Sequence, residues 1–245
     1  MIEWMPRLAA LATAVSALEL IIVRDAFYDR GVYAWSVLRA DYGTLARPLG
    51  LVFGARGTLA VLVFQLAAAI ALPVIAHPAP AWIAFGTSLA ISIRWRGSYN
   101  GGSDAMLLVV LLAIAIGRTA PSLANAALAY AAVQLVLSYF VAGIAKLGDP
   151  AWRAGLALPL LVTLPHYRVP PRCAVLAGPR TGRVLGYGML AVECTFPLAL
   201  VNPTACIAYL AIGGCFHLVN AYVFGLNRFL WAWLAAYPAL LHWAT

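Results

Sequence analysis

Charged residues are scarce in this 245-residue chain, which has eight acidic residues and a single lysine, Lys146. Aspartate, glutamate, lysine and arginine together make up 10% of the sequence, whereas a soluble domain carries about 25%. This scarcity excludes a water-soluble enzyme, a disordered segment and a nucleic-acid-binding module. The four cysteines form no CxxC pair and the histidines lack ligand spacing, so we predict neither a metal site nor a haem.

Long apolar runs dominate instead, and 64% of the residues are hydrophobic. A hydrocarbon layer of about 30 Å takes about 20 residues of helix, and helices are the spanning form that runs of this length favour. The sequence therefore predicts an all-α, polytopic membrane bundle of about eight transmembrane helices in one domain, residues 1–245. The predicted spans are residues 8–23, 58–76, 81–93, 105–117, 123–147, 184–201, 205–224 and 229–243.

Two stretches do not fit a span. Residues 27–42 mix aromatic, basic and acidic side chains, which is typical of a helix lying among lipid headgroups. Residues 149–183 are rich in proline and arginine at both ends, and we expect a re-entrant or surface loop there.

Arginine is distributed unevenly between the two sides of this topology. The odd-numbered loops, which follow the first, third, fifth and seventh predicted spans, carry thirteen arginines. Only Arg7 and Arg118 lie on the other side. Because positive residues stay in the cytoplasm, we expect cytoplasmic odd-numbered loops and termini outside, in a bacterial inner membrane. The opening residues lack the pattern of a cleavable signal, so the first run is interpreted as a retained span.

Four ionisable residues lie in or at the ends of spans: Glu19, Lys146, Glu193 and His217. Each costs on the order of 2.5–3.5 kcal/mol at a helix centre, so each needs a partner or a purpose. Lys146 either extends to the headgroups or, desolvated and neutral, acts as a general base. His217 is either a hydrogen-bonding residue between helices or a proton carrier, and Glu193 is a candidate structural partner of Lys146.

The residues around Lys146 carry a specific pattern. The run YFVAGIAKLGDPAWRAG, from Tyr139 to Gly155, resembles the horizontally transferred transmembrane (HTTM) domain family, which is shared with the vitamin K-dependent gamma-glutamyl carboxylases. The matching positions are Tyr139, Phe140, Ala142, Gly143, Lys146, Leu147, Trp152 and Gly155. Further similarity lies in FHLVNAYVFGLNRF, through Phe216, His217, Asn220, Phe224 and Phe229, and around Asn100, Gly101, Gly102 and Asp104.

The resemblance implies a catalytic lysine, here Lys146, that acts with a reduced quinone and oxygen to generate a strong base. We expect His217 and Asp104 beside Lys146, and Asn100, Tyr139, Trp152 and Asn220 in binding the substrate. The family's carboxylases carry a histidine in the segment corresponding to residues 100–104, where this chain has glycines, and a large extramembrane domain that this sequence lacks. We therefore do not expect γ-carboxylation of proteins.

Two functions remain open from the sequence. One is a carboxylase-like membrane enzyme acting on a quinone or another lipid-soluble substrate, with Lys146 as base. The other is a non-catalytic accessory subunit that packs, within the bilayer, against other subunits of a respiratory or photosynthetic complex. A transporter is less well supported, because no inverted repeat is visible. A Lys146 paired with Glu193 would favour a structural role, and a Lys146 facing an apolar cavity would favour catalysis.

Overall fold

The computed structural model describes residues 3–95, 101–165 and 167–244. Within these ranges the regular secondary structure is entirely helical, which confirms the all-α membrane fold. The α-helices in chain order are α1 (Trp4–Ile22), α2 (Trp35–Leu38), α3 (Ala46–Phe53), α4 (Ala55–Ala71), α5 (Ala79–Trp95), α6 (Gly101–Thr119), α7 (Ala124–Gly148), α8 (Pro150–Arg153), α9 (Ala157–Thr163), α10 (Pro179–Thr195), α11 (Pro203–Phe224) and α12 (Asn227–Ala244).

Each predicted span overlaps one helix, but the count of eight membrane crossings is not confirmed. Among the described residues, five segments are long and apolar enough to cross: α1, most of α6, α7 with the turn before it, α10 with the turn after it, and α11. The segments Trp35–Phe53 and Ala55–Ala71, which meet at 54°, together form a sixth candidate. Helices α4 and α5 have 17 residues each, which is only about 25 Å of helix.

Local sequence signals set the ends of the later helices. α10 and α11 begin at Pro179 and Pro203. Proline suits the first position of a helix because the backbone N–H that it lacks would have no acceptor within the helix there. The Asn202 side chain accepts a hydrogen bond from the Ala205 N–H at 2.8 Å and caps α11. α11 ends at Phe224 and is followed by Gly225, whose φ of 71° lies in the left-handed region that favours glycine.

The chain divides into two compact units at the bond between Ala127 and Leu128. In the first unit, α4 packs against α1 and α5, and α6 packs against α5 and α1. Five buried side chains form a cluster in its core: Leu20, Phe27, Leu62, Ile91 and Trp95. In the second unit, α11 packs against α12 and the turn Phe196–Leu200, and α10 packs against α9.

Arg94 is buried in the first unit, although the sequence places it among the loop charges that orient the chain. It lies in the last turn of α5 and is 1% exposed. Its guanidinium donates to the carbonyl oxygens of Phe53 and Tyr33 and to the hydroxyl of Thr58, at 2.7–3.0 Å. Arg94 therefore joins three segments of this unit rather than facing a headgroup layer.

The two non-spanning stretches consist of short helical pieces. Residues 27–42 contain α2 and parts of two 3-10 turns, Arg24–Phe27 and Arg39–Leu45, instead of one continuous interfacial helix. Residues 149–183 contain α8, α9, the 3-10 turn Pro171–Ala177 and the start of α10, so the sixth helix of the predicted bundle begins before residue 184.

Candidate functional site

An ion pair joins the single lysine to a buried carboxylate. Lys146 lies in the last turn of α7, and its ammonium group donates to both carboxylate oxygens of Glu193 on α10. Glu193 is 3% exposed and the Lys146 side chain 21%. Because an isolated charge is costly in an apolar environment, each partner stabilises the charged form of the other.

A glycine lets the two helices approach closely enough for this pair. Gly143 lies almost one turn before Lys146, and a Cβ placed on it would be 2.8 Å from the backbone nitrogen of Cys194. The same Cβ would be 2.9 Å from the Cβ of Glu193. A side chain at residue 143 would therefore push α7 and α10 apart at the level of the ion pair.

Trp152 covers the lysine from the segment that follows α7. The Lys146 ammonium lies 5.1 Å from the centroid of the Trp152 ring, which is within cation–π range. The Asp149 side chain starts α8 by accepting a hydrogen bond from the Ala151 N–H at 2.7 Å. After Trp152 the chain turns at Gly155, whose φ is 68°. The cap at Asp149 and the turn at Gly155 thus place the Trp152 indole beside the Lys146 amine.

A second polar group lies on the same helix, about two turns before Lys146. The Tyr139 hydroxyl is 2.8 Å from Nε2 of His217 on α11 and 2.9 Å from the Tyr237 hydroxyl on α12. A Cβ on Gly213 would be 2.7 Å from both hydroxyls, so this glycine makes room for them. The Tyr139 ring stacks on Phe196 with centroids 3.9 Å apart. The position of Tyr139 is therefore fixed by three other elements.

His217 also has an unsatisfied atom. It is 1% exposed, and its Nδ1 has no hydrogen-bond partner in the part of the chain that the structure describes. The imidazole lies against the Trp233 and Phe229 rings, with centroids 5.1 and 5.8 Å away. An unpaired buried nitrogen is costly, and it commonly marks a place where a water or a ligand oxygen binds.

A model of a known protein family matches the part of the chain that carries this site. The model of the HTTM domain matches residues 117–243, which include Lys146, Glu193, Tyr139, His217 and Tyr237. The chain belongs to the HTTM domain family. No significant match is found among curated proteins or among solved structures.

The structure brings together several of the residues that the HTTM resemblance singles out. Lys146 contacts Glu193 and Trp152, and Tyr139 contacts His217. Asn220 lies on α11, nearly one turn after His217, and is half-buried. Asp104 lies in the first turn of α6, in the first unit. Asn100 falls outside the described residues.

Two residues of the site are missing from the sequence-based set. Tyr237 bonds to Tyr139, and Phe196 stacks on it. Tyr237 directly precedes Pro238 within α12. A tyrosine beside a proline that distorts a helix, within an apolar run, is a sequence signal that could have pointed to this residue. Nothing in the sequence distinguishes Phe196 from the other phenylalanines.

Proposed function

We propose that this HTTM protein is a carboxylase-like membrane enzyme that removes a proton from a lipid-soluble substrate, with Lys146 as the base. The buried Nδ1 of His217, which has no hydrogen-bond partner among the described residues, carries the proposal, because it marks a place for an oxygen atom of a substrate. The contact between Lys146 and Glu193 by itself favours a structural role, and the proposal adds that Glu193 accepts the proton of the ammonium group. An arginine at residue 146 could make the same ion pair but would not release a proton.

The proton transfers balance within the pair. Glu193 takes a proton from the Lys146 ammonium, which leaves a neutral amine beside a neutral carboxylic acid. A low-dielectric environment makes this neutral form accessible, because it removes two charges from the apolar layer. The amine then accepts a proton from a hydroxyl of the substrate, so that the oxygen becomes anionic and the ammonium is restored next to it.

The residues around His217 fit a ring that carries oxygen atoms, such as a reduced quinone. The Nδ1 of His217, for which the described part of the chain supplies no partner, would bond one oxygen, and Phe229 and Trp233 would pack against the ring face. A reduced quinone, when bound, supplies an acidic hydroxyl and reducing electrons. Tyr139, through its bond to Nε2, orients the imidazole. The binding roles of Asn220 and Trp152, and the roles of Asn100 and Asp104, stay predictions of the sequence.

The membrane setting of the proposal follows the arginine distribution. We place the protein in a bacterial inner membrane, with the odd-numbered loops on the cytoplasmic side and the termini outside. The Lys146 end of α7 then lies toward the cytoplasm, where protons exchange with water.

A second candidate function is a non-catalytic subunit of a larger membrane complex. Its support is the low burial of two helices. In the apolar stretch of α10 and in that of α11, 22% of the residues are buried, whereas the share for α7 is 44%. Large apolar side chains such as Val184, Ile207 and Leu218 are more than half exposed on these helices. Such faces suit lipid or neighbouring subunits, and the ion pair would then only hold the helices together.

Exchanging Lys146 for arginine separates the two functions. The purified protein is supplied with reduced decylubiquinone and oxygen, and quinol consumption and quenching of tryptophan fluorescence are followed. We expect the Lys146→Arg variant to keep its quenching and its elution volume, and to lose at least about 100-fold in rate, the usual contribution of a general base. Undiminished consumption by this variant refutes the role of Lys146 as base. A protein that neither binds nor consumes the quinol, and purifies in fixed ratio with a larger complex, supports the second function.

A further inference from the structure

A positively charged groove lies in the first unit, and none of its lining residues belongs to the proposed function. Its volume is about 730 Å³, and it is bounded by the turn Arg39–Leu45 and the start of α3. The lining residues include Trp35, Arg39, Gly43, Thr44, Arg47 and Gly50. None of the residues that line it is acidic.

The two arginines of the groove are available to bind an anion. Arg39 and Arg47 are both exposed, and neither is paired with a carboxylate of the described residues. Two guanidinium groups on one groove match the charge of a phosphate group, and each guanidinium can donate parallel N–H bonds to phosphate oxygens. The lining of the groove, as far as the structure describes it, thus carries two arginines and no acidic residue.

The rest of the groove is held in shape by packing. The Trp35 ring lies 5.3 Å from Tyr42 and 5.6 Å from Phe53, centroid to centroid. A Cβ on Gly50 would be 3.0 Å from the Trp35 indole nitrogen, so this glycine leaves room for the indole. Gly43 has a φ of 51°, a conformation that favours glycine and turns the chain between the two arginines.

Apolar side chains beside the groove indicate what the anion is attached to. Leu45, within the same turn, is 62% exposed, and Leu51 on α3 is 83% exposed. Tryptophan and tyrosine near basic residues are typical of the headgroup level of a bilayer. A free phosphate would use the arginines alone, whereas an anionic phospholipid would use both the arginines and the leucines.

We propose that this groove binds the headgroup of an anionic phospholipid, with Arg39 and Arg47 on the phosphate and Leu45 and Leu51 against the acyl chains. The interaction is with one lipid molecule at a defined place, beyond the general attraction of a basic protein to an anionic leaflet.

The test is native mass spectrometry of the full chain in detergent, titrated separately with phosphatidylglycerol, phosphatidylcholine and inorganic phosphate. The test variant is R39Q/R47Q. Its matched control, R30Q/R168Q, removes two exposed arginines that do not line the groove and changes the net charge equally. Circular dichroism and size-exclusion elution verify that both variants are folded.

We expect the unchanged protein to prefer phosphatidylglycerol over phosphatidylcholine for the first bound lipid. The test variant should lose about 25-fold in affinity for phosphatidylglycerol, since each of the two basic residues near an anionic lipid contributes roughly fivefold. The control variant should lose little, and inorganic phosphate should not displace the lipid. Equal losses in the two variants, no preference for the anionic lipid, or displacement by inorganic phosphate would overturn the proposal. An unfolded test variant is replaced by R39K/R47K, which should lose part of the preference because lysine lacks the planar fork.

Discussion

Replacing Gly143 by alanine tests whether α7 and α10 approach as closely as the ion pair requires. The added methyl group would meet the backbone nitrogen of Cys194 at 2.8 Å and its Sγ at 2.9 Å. Restoring an ordinary contact of 3.4 Å requires a shift of about 0.6 Å. Because one of the two atoms belongs to the backbone, a rotamer change of Cys194 cannot relieve the contact, and the helices must separate.

The expected magnitude follows from two opposing effects. Overpacking of this kind costs about 1–3 kcal/mol, and exchanging glycine for alanine inside a helix gains about 1 kcal/mol. Gly188 on α10 has open space around it, since no heavy atom of the described residues outside its own stretch of helix lies within 4 Å of a Cβ placed there. Gly188→Ala therefore shows the helix gain alone. The two variants should differ by the overpacking cost, about 1–3 kcal/mol, with Gly143→Ala the less stable.

The assay is unfolding of the purified protein in mixed micelles of increasing sodium dodecyl sulfate content, followed by tryptophan fluorescence. The difference between the two alanine variants corresponds to a ratio of roughly 5 to 150 in the unfolding equilibrium constant. Equal stabilities of Gly143→Ala and Gly188→Ala would refute the close approach of α7 and α10, and with it the geometry of the Lys146 and Glu193 pair.

Three further predictions concern the hydroxyl groups of Tyr139 and Tyr237. Tyr237→Phe should cost about 0.5–1.5 kcal/mol, because it removes one hydrogen bond and leaves Tyr139 bonded to His217. Tyr139→Phe should cost more, about 1–3 kcal/mol, because it takes a hydrogen-bond partner from both His217 Nε2 and the Tyr237 hydroxyl. If the same unfolding assay gives equal costs for Tyr237→Phe and Tyr139→Phe, Tyr139 does not bond to both residues. Gly213→Ala should be destabilising and its cost should fall in the Tyr139→Phe/Tyr237→Phe background, since both clashing hydroxyls are then gone. A cost that is the same in both backgrounds would place the clash elsewhere.

Several features of this protein could be predicted from local sequence. A bilayer leaves no water for backbone groups, so apolar runs of this length form helices, and hydropathy alone is sufficient for the fold class. The residues around Lys146 were sufficient for the HTTM resemblance, which the family match over residues 117–243 confirms. The number of crossings was not predictable in the same way, because α4 and α5 are near the minimum length of a span.

Contacts between distant residues were decided only by the tertiary structure. Lys146 and Glu193 are 47 positions apart, and Tyr139 and Tyr237 are 98 apart, so no helical or strand periodicity relates them. Hydropathy predicts that a segment crosses the membrane, but it does not predict which face of the helix contacts which neighbouring helix. The packing of helices around Gly143 and Gly213 determined those contacts.

Arg94 shows the same difference between what the sequence predicts and what the tertiary structure decides. From the sequence it is a charge at the end of an apolar run, which the positive-inside rule assigns to a cytoplasmic loop. In the folded first unit it is buried, because the carbonyl oxygens of Phe53 and Tyr33 and the Thr58 hydroxyl surround its guanidinium. The sequence by itself determined the composition, the helices and the family, since these depend on neighbouring residues. Burial of a charge depends on oxygens supplied from elsewhere in the chain, and only folding brings those together.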